Sequence, residues 1–427
     1  TGYYGAGIGG GGGGDGGNIT IAGGAVAASG GYGGAGSGGG AGGAGGTITI
    51  HGGVVEATGG SSGAGIGGGN SANGGTITIS GGKVEAPGGG AGIGGGEDSR
   101  FSSIITISGG TVSATGGASG GAGIGDGLDS KYNGTFSTTE DGTAVIFAAG
   151  SGSASAIADQ SGKEVWSGII FEKDGSATAY TGKVYGEQTL ESDLTLPKTT
   201  GDNEVSIPTT LAIPAGASLV VPDGKKLTVN KDSALVICDR EEDRLSGEGT
   251  LAGGGNFFIA TPLPTLANDT LTYNGTDQFD SLELTYSENK PVTIMKQEFT
   301  VVDKDCWEIT GENWNEIKDA GTYSVTFSYA GFASSDTVTV KPAELALTPA
   351  PAELTGGGTV TFTLSNLPEG VEAEKVTVTC SDDSIEILGG EASGTWTATL
   401  PNRTQKYTFT TSYSDTNYNV TGGTCTV

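Results

Sequence analysis

The phrase Gly-Ala-Gly-Ile-Gly-Gly-Gly occurs unchanged at 5–11, 63–69 and 90–96, and with one replacement at 34–40 (Ser37) and 121–127 (Asp126). Successive starts lie 29, 29, 27 and 31 residues apart. A fixed period in that range signals a stacked repeat in which no unit buries its own apolar face. Of the 84 glycines, 55 fall in residues 1–134, a density that ordinarily marks a disordered segment. The regular placement of Ile, Val and Ala between the glycines argues for folded coils instead.

Aligned on Ile19–Ile21, Ile48–Ile50, Ile77–Ile79 and Ile105–Ile107, every repeat carries a Val five residues later (Val26, Val55, Val84, Val112). An Ala follows two residues on (Ala28, Ala57, Ala86, Ala114), and the glycine phrase adds Ala64 with Ile66, Ala91 with Ile93 and Ala122 with Ile124. Each pair has period two, so each coil holds three short strands with one inward pair apiece. Glycine corners supply the positive φ of sharp turns. The expected fold class is all-β, a parallel β-helix followed by two Ig-like β-sandwich domains.

Four segments are expected. Residues 1–134 form the glycine-rich helix, and 135–260 continue it in eight-residue strand-and-turn units, Leu211/Ile213, Leu219/Val221, Leu227/Val229 and Leu235/Ile237. Three such units would complete a coil, with the stretch around Val145–Phe147 and Ile169–Phe171 as a transition or a lateral insertion. Alternating strands then place one sandwich at 261–342 and a second at 343–427.

The glycine phrase with Thr-Ile-Thr-Ile-Ser-Gly-Gly resembles repeats of large surface proteins of gut-type Gram-positive bacteria, as do Ile213-Pro-Ala-Gly-Ala-Ser-Leu and Val221-Pro-Asp-Gly-Lys-Lys-Leu-Thr-Val. Asp319-Ala-Gly-Thr-Tyr-Ser-Val and the ending Tyr-Asn-Val-Thr-Gly-Gly-Thr-Cys-Thr-Val are similar to bacterial Ig-like stalk modules. The resemblance implies a cell-surface setting and an adhesive or scaffold role. It transfers no residue-level site.

A net charge of −28 excludes a nucleic-acid partner, which needs a basic surface. The spread of acids, with few Met, His and basic residues, fits an extracellular bacterial protein. No apolar run is long enough to span a bilayer, so no direct membrane insertion is expected. Thr1 opens the chain in mid-repeat, so flanking repeats of a longer, processed protein are expected, with export signal and anchor beyond it.

Chemistry-bearing residues are sparse. Glu56 and Glu85 share an outward column beside Lys83, where stacked carboxylates would hold calcium, act in acid–base pairs, or form a solvated face. Few basic residues (Lys83, Arg100, Lys131) are available in 1–134 to grip an acidic sugar. Glu97, Asp98, Asp126 and Asp129 follow the phrase at corners as weak calcium candidates or turn residues. No other cofactor is expected.

Thr20, Thr49, Thr78 and Thr106 line up outward with His51 at their edge. This is a binding ladder of the kind that templates ice, or simple β-propensity, and it is shortened by Asn18 and Ile104. His51 has no triad partner fixed by motif. The phrase lacks the Lys-Ser/Thr of a phosphate loop. Tyr3, Tyr4 and Tyr32 are sugar-stacking candidates, whereas Trp307 and Trp314 suit a core or edge. Cys380 and Cys425 share the last sandwich and are expected to pair, with Cys238 and Cys306 free and buried.

The resulting expectation is a secreted, wall-associated adhesin or scaffold, not an enzyme, displaying a surface to a glycan or a host or cell-surface ligand. A polysaccharide lyase or glycoside hydrolase on the helix face, and a purely structural stalk, remain the alternatives.

Overall fold

The computed structural model describes residues 3–99, 103–118, 120–129, 134–159, 166–198, 209–241, 243–311, 316–365, 375–390 and 392–427. Among them regular structure is all β apart from short 3-10 turns. They fall into two compact units, Thr1–Pro262 with Glu288–Asp303 and Tyr329–Phe332, and Leu263–Ser287 with Lys304–Ser328 and Ala333–Val427.

The first unit begins as a three-faced parallel β-helix. A glycine face stacks Ile8–Gly9, Ser37–Gly38, Ile66–Gly67, Ile93–Gly94 and Ile124–Gly125. A threonine face stacks Asn18–Ile21, Thr47–Ile50, Thr76–Ile79, Ile104–Ile107 and Thr135–Ser137. The third face stacks Ala25–Ser29, Val54–Thr58, Lys83–Pro87, Thr111–Thr115 and Val145–Ala149. Registers fall one repeat apart, as in Ile48↔Ile77 and Val55↔Val84. The inward Ile, Val and Ala columns are buried, with Ile50, Ile79, Val84 and Ile93 at 0% exposure.

The phrase is glycine-rich because the backbone itself fills the corner. Gly94, its fifth residue, sits at φ +136°, and a Cβ there would lie 1.5 Å from the Gly125 carbonyl oxygen one coil on. Side chains other than hydrogen have neither the conformation nor the space.

After Val145–Ala149 the third face continues as Gly168–Lys173 in parallel and then reverses, because Thr181–Tyr185 pairs antiparallel with it. From there the sheet is parallel again through Thr209–Ile213, Ser233–Ile237, Asn256–Ile259 and Gln297–Val301. Reversal alone would invert the hand of winding. The core changes side at the same place: Ile146, Ala148 and Ile170 enter the first core, and Ile169 and Phe171 enter a second. Val145 and Phe147 pack against that second core, from the opposite face of their strand. Two inversions cancel, so the winding keeps its hand, in line with the strong chiral preference of parallel crossovers. Gly168–Phe171 is accordingly buried on both sides.

The irregular stretch is thus a transition rather than a lateral insertion. Beyond it the eight-residue units close coils as expected, since Thr209↔Ser233 and Leu211↔Leu235 fix a 24-residue period. The other faces are Glu187–Thr189, Ser218–Val220 and Leu245–Ser246, then Leu194–Thr195, Lys226–Thr228 and Thr250–Ala252. Leu211, Leu219, Leu227 and Leu235 meet in the second core.

One boundary differs from the sequence expectation. Residues 288–303, placed with the 261–342 sandwich, belong to the solenoid unit. There Val292–Ile294 and Gln297–Val301 form a hairpin whose inner strand pairs parallel with Asn256–Ile259. The cause is apolar: Phe299 and Ile294 close the second core, and the Phe299 ring lies 5.3 Å from Phe257.

In the second unit, Thr270–Thr272, Phe332–Lys341, Gly321–Tyr329 and Glu308–Gly311 form one sheet, and Thr265–Leu266 pairs with Leu284–Thr285. The last module is an Ig-like sandwich. Ile387–Gly389, Thr395–Leu400, Gly358–Ser365, Ala343–Ala350 and Tyr418–Thr421 make one sheet, and Thr377–Cys380, Lys406–Ser412 and Gly423–Thr426 the other. Between them lie Val360, Phe362, Leu400, Tyr407 and Phe409, with the rings of Phe362 and Phe409 4.0 Å apart. No helix is long and apolar enough to cross a membrane among the described residues.

Candidate functional site

The outward side of the threonine face is a register-locked array. One column runs Asn18, Thr47, Thr76, Ile104, Thr135, and the other Thr20, Thr49, Thr78, Thr106, Ser137. Ranks lie about 4.8 Å apart and the columns roughly 6.6 Å apart along the strand. Eight of these ten side chains carry a hydroxyl and none is ionisable. Asn18 and Ile104 interrupt only the first column, so the second is unbroken through five ranks. Thr106 and Ser137 hydroxyls lie 3.2 Å apart, one of the links along that column. At the edge, His51 Nδ1 lies 3.1 Å from Ser80 Oγ one coil on, an exposed rung contact rather than the start of a triad.

On the third face, register places Glu56 beside Glu85, with Ala27 before them and Ser113 after. Lys83 Nζ meets Glu85 Oε1 at 2.8 Å, with side chains 61% and 51% exposed. The hydrogen bond to Glu85, then its charge, holds the Lys83 pKa above its usual value. Glu56 and Glu85 are both exposed. Arg100 and Lys131, the other bases of this segment, lie outside the described residues.

The four corner acids do not converge. Asp98 and Asp129 occupy the ninth position counted from each phrase start, where Gly13, Gly42 and Ser71 also stand, and all five have φ between +57° and +82°. Short polar side chains tolerate that left-handed turn, which accounts for the two exposed acids. Glu97 is half-buried beside them. Asp126 differs: it replaces the sixth phrase glycine, is 4% exposed and accepts a hydrogen bond from Ser103 Oγ at 2.9 Å. Its Oδ2 is buried without a hydrogen-bond partner. No three His, Cys, Asp or Glu side chains converge among the described residues.

Burial raises the Asp126 pKa to about 6, against the opposing hydrogen bonds from Ser103 and Gly95. A carboxyl raised on folding adds stability that is complete below its unfolded value near 4 and is lost as pH rises through about 6. Asp126→Asn is therefore expected to be about 3 kcal/mol more stable than the parent at pH 8 and equal to it at pH 4. Urea unfolding at the two pH values checks this, and a pH-independent difference would contradict it.

The cysteines depart from expectation. Cys380 and Cys425 are both free. Their strands flank Lys406–Ser412 on opposite sides, with Cys380 opposite Phe409 and Cys425 opposite Tyr407. Two strand spacings, roughly 9.6 Å, exceed the reach of a disulfide. Cys238 is buried and free as expected, and burial with the neighbouring Asp239 pushes its thiol up to about 11. Cys306 is exposed rather than buried, because it ends a surface turn, Lys304–Cys306.

Aromatic candidates divide similarly. Tyr3 stacks on Tyr32 with centroids 5.8 Å apart and Tyr4 stands edge-on to Tyr3 at 4.8 Å, all three well exposed. Trp307 is buried, its Nε1 donating to the Tyr286 hydroxyl at 2.7 Å. Trp314 lies outside the described residues.

The sequence model of a family described as beta helix repeat matches residues 48–70, 77–97 and 105–128, three successive coils of the first solenoid. No curated protein sequence matches the chain. Among solved structures, the chain is similar to Yersinia pseudotuberculosis InvD at 16% identity, covering 38% of this chain and 57% of that one, with a TM-score of 0.15. It is also similar to domains 4 and 5 of the S-layer protein SbsC at 13% identity, covering 38% of this chain and 95% of that one, with a TM-score of 0.15. The chain therefore spans less than two thirds of the InvD chain.

Proposed function

We propose that this is an extracellular bacterial surface protein, a non-catalytic adhesin or scaffold whose solenoid offers the threonine face to a glycan or to a host or neighbouring cell. The reading rests on one observation. In a chain of net charge −28, ten outward positions in two aligned columns carry no ionisable group. A contact surface must shed water, which is costly for charges and mild for hydroxyls that find new partners. Threonine is stiff at χ1 and held by its neighbours in the column, so little side-chain freedom is lost on docking. The sequence resemblance to surface repeats points the same way.

The double variant Thr49→Glu/Thr78→Glu puts two charges on this face without touching the core. It is expected to lower adhesion or glycan-array signal by about tenfold or more. Blank results for the parent protein in both assays would remove the binding role. Release of sugar from a polymer, lost in Glu56→Gln or Glu85→Gln, would instead favour a hydrolase or lyase.

A further inference from the structure

The place where the core changes sides also builds a cleft, on a different face from the threonine array. By register, the outward side of the third face runs Val54, Lys83, Thr111, Val145, Ile169. Val54 is 54% exposed, while Ile169 already belongs to the second core. A floor that starts in solvent and ends inside a core is blind at one end. Over it stand the end of the strand Glu187–Thr189 and the corner that follows it through Ser192, facing the corners at Gly110 and Thr143 across a cleft of about 270 Å³.

The wall is pre-formed. Gln188 is buried, and its Nε2 donates to the Tyr185 carbonyl at 2.9 Å and to Ser167 Oγ at 3.2 Å. Ser167 Oγ donates in turn to the Gly142 carbonyl at 2.9 Å, tying the wall to the first solenoid. Sites of this kind hold their ligands by shape already present.

Chemistry and size narrow the ligand. Val145, Ile169 and Leu190 give an apolar floor, and Thr111, Thr143, Thr189 and Ser192 give a rim of hydroxyls. A pyranose ring matches that division, with C–H groups on its faces and hydroxyls round its edge. A volume of about 270 Å³ is enough for one ring. Glu191 lines the rim, and the lysine on the strip outside, Lys83, is engaged by Glu85. An acidic sugar would meet a carboxylate with no cation among the lining residues. We propose that this cleft binds the terminal residue of a neutral hexose chain, whose remaining units leave along the strip past Thr111 and Lys83.

The test is calorimetric titration of the whole chain with cellotriose, a galactose-terminated trisaccharide and a mannotriose, with trigalacturonate as the acidic comparison. At least one neutral trisaccharide is expected to bind, and trigalacturonate is not. Thr143→Trp, at an exposed corner, and Thr189→Trp, at the exposed end of its strand, are expected to weaken binding about tenfold or more by filling the cleft. Their circular dichroism and melting should match the parent protein. No binding by any neutral trisaccharide, equal binding of trigalacturonate, or binding untouched by both tryptophans would overturn the proposal. Binding that Thr49→Glu/Thr78→Glu removes and the tryptophans spare would also overturn it, while leaving the threonine-face reading in place.

Discussion

Gly94→Ala is expected to destabilise the first solenoid by about 4 kcal/mol or more, among the largest effects a single methyl can have. The added carbon would need the φ of +136° and would stand 1.5 Å from the Gly125 carbonyl oxygen. Backbone on the next coil cannot move aside without breaking the stack, because Gly95 N–H donates to that same carbonyl at 3.0 Å. Gly13→Ala is the matched control. Gly13 also has positive φ, +75°, but nothing lies within 4 Å of its would-be Cβ. Its cost should be only the left-handed penalty, about 1–2 kcal/mol. Urea denaturation of the two variants side by side separates them, and equal losses would mean the corner is not close-packed.

The second large effect lies at the crossing strand. Ile170 and Phe171 are adjacent in sequence yet enter different cores. Phe171 stacks on Phe147 at 4.8 Å and fills space left by Gly182, where a Cβ would come within 2.4 Å of the ring. Phe171→Ala is expected to cost about 3–5 kcal/mol, and Ile170→Ala about 2–5 kcal/mol. Their locations should differ more than their sizes. Hydrogen exchange should rise around Leu211 and Leu235 in Phe171→Ala, and around Ile146 and Val112 in Ile170→Ala. If both variants loosened the same half, the two-sided strand would be disproved.

The repeat period made the first solenoid legible almost residue by residue, since inward Ile, Val and Ala recur against a background of glycine. The 24-residue coils were equally plain from Leu211 to Ile237. The crossing was not, because Val145–Phe147 and Ile169–Phe171 are apolar at every position. Period two carries no information where both sides of a strand are buried. The closing hairpin was hidden for the opposite reason: alternation from Val292 to Val301 suits any half-buried sheet, and only Phe299 and Ile294 in place reveal which core they complete. Asp126 looked like one more corner acid, yet position six of the phrase faces inward and position nine faces out, a distinction that glycine at both positions conceals. For the cysteines, membership of one sandwich was read correctly, but strand order, which sets their separation, is not written in local pattern. The cleft needs both solenoids at once and left no signal in either repeat.

The reversal at Gly168–Lys173 and Thr181–Tyr185 has a bearing on how such a protein can vary in length. Each half is a ladder joined to the other around that reversal, and each rung rests on its immediate neighbours. Gain or loss of one whole rung therefore changes reach by about 4.8 Å and leaves the joint as it was. Copy-number change by unequal recombination, a hazard for most domains, would here act as a length adjustment made in discrete steps.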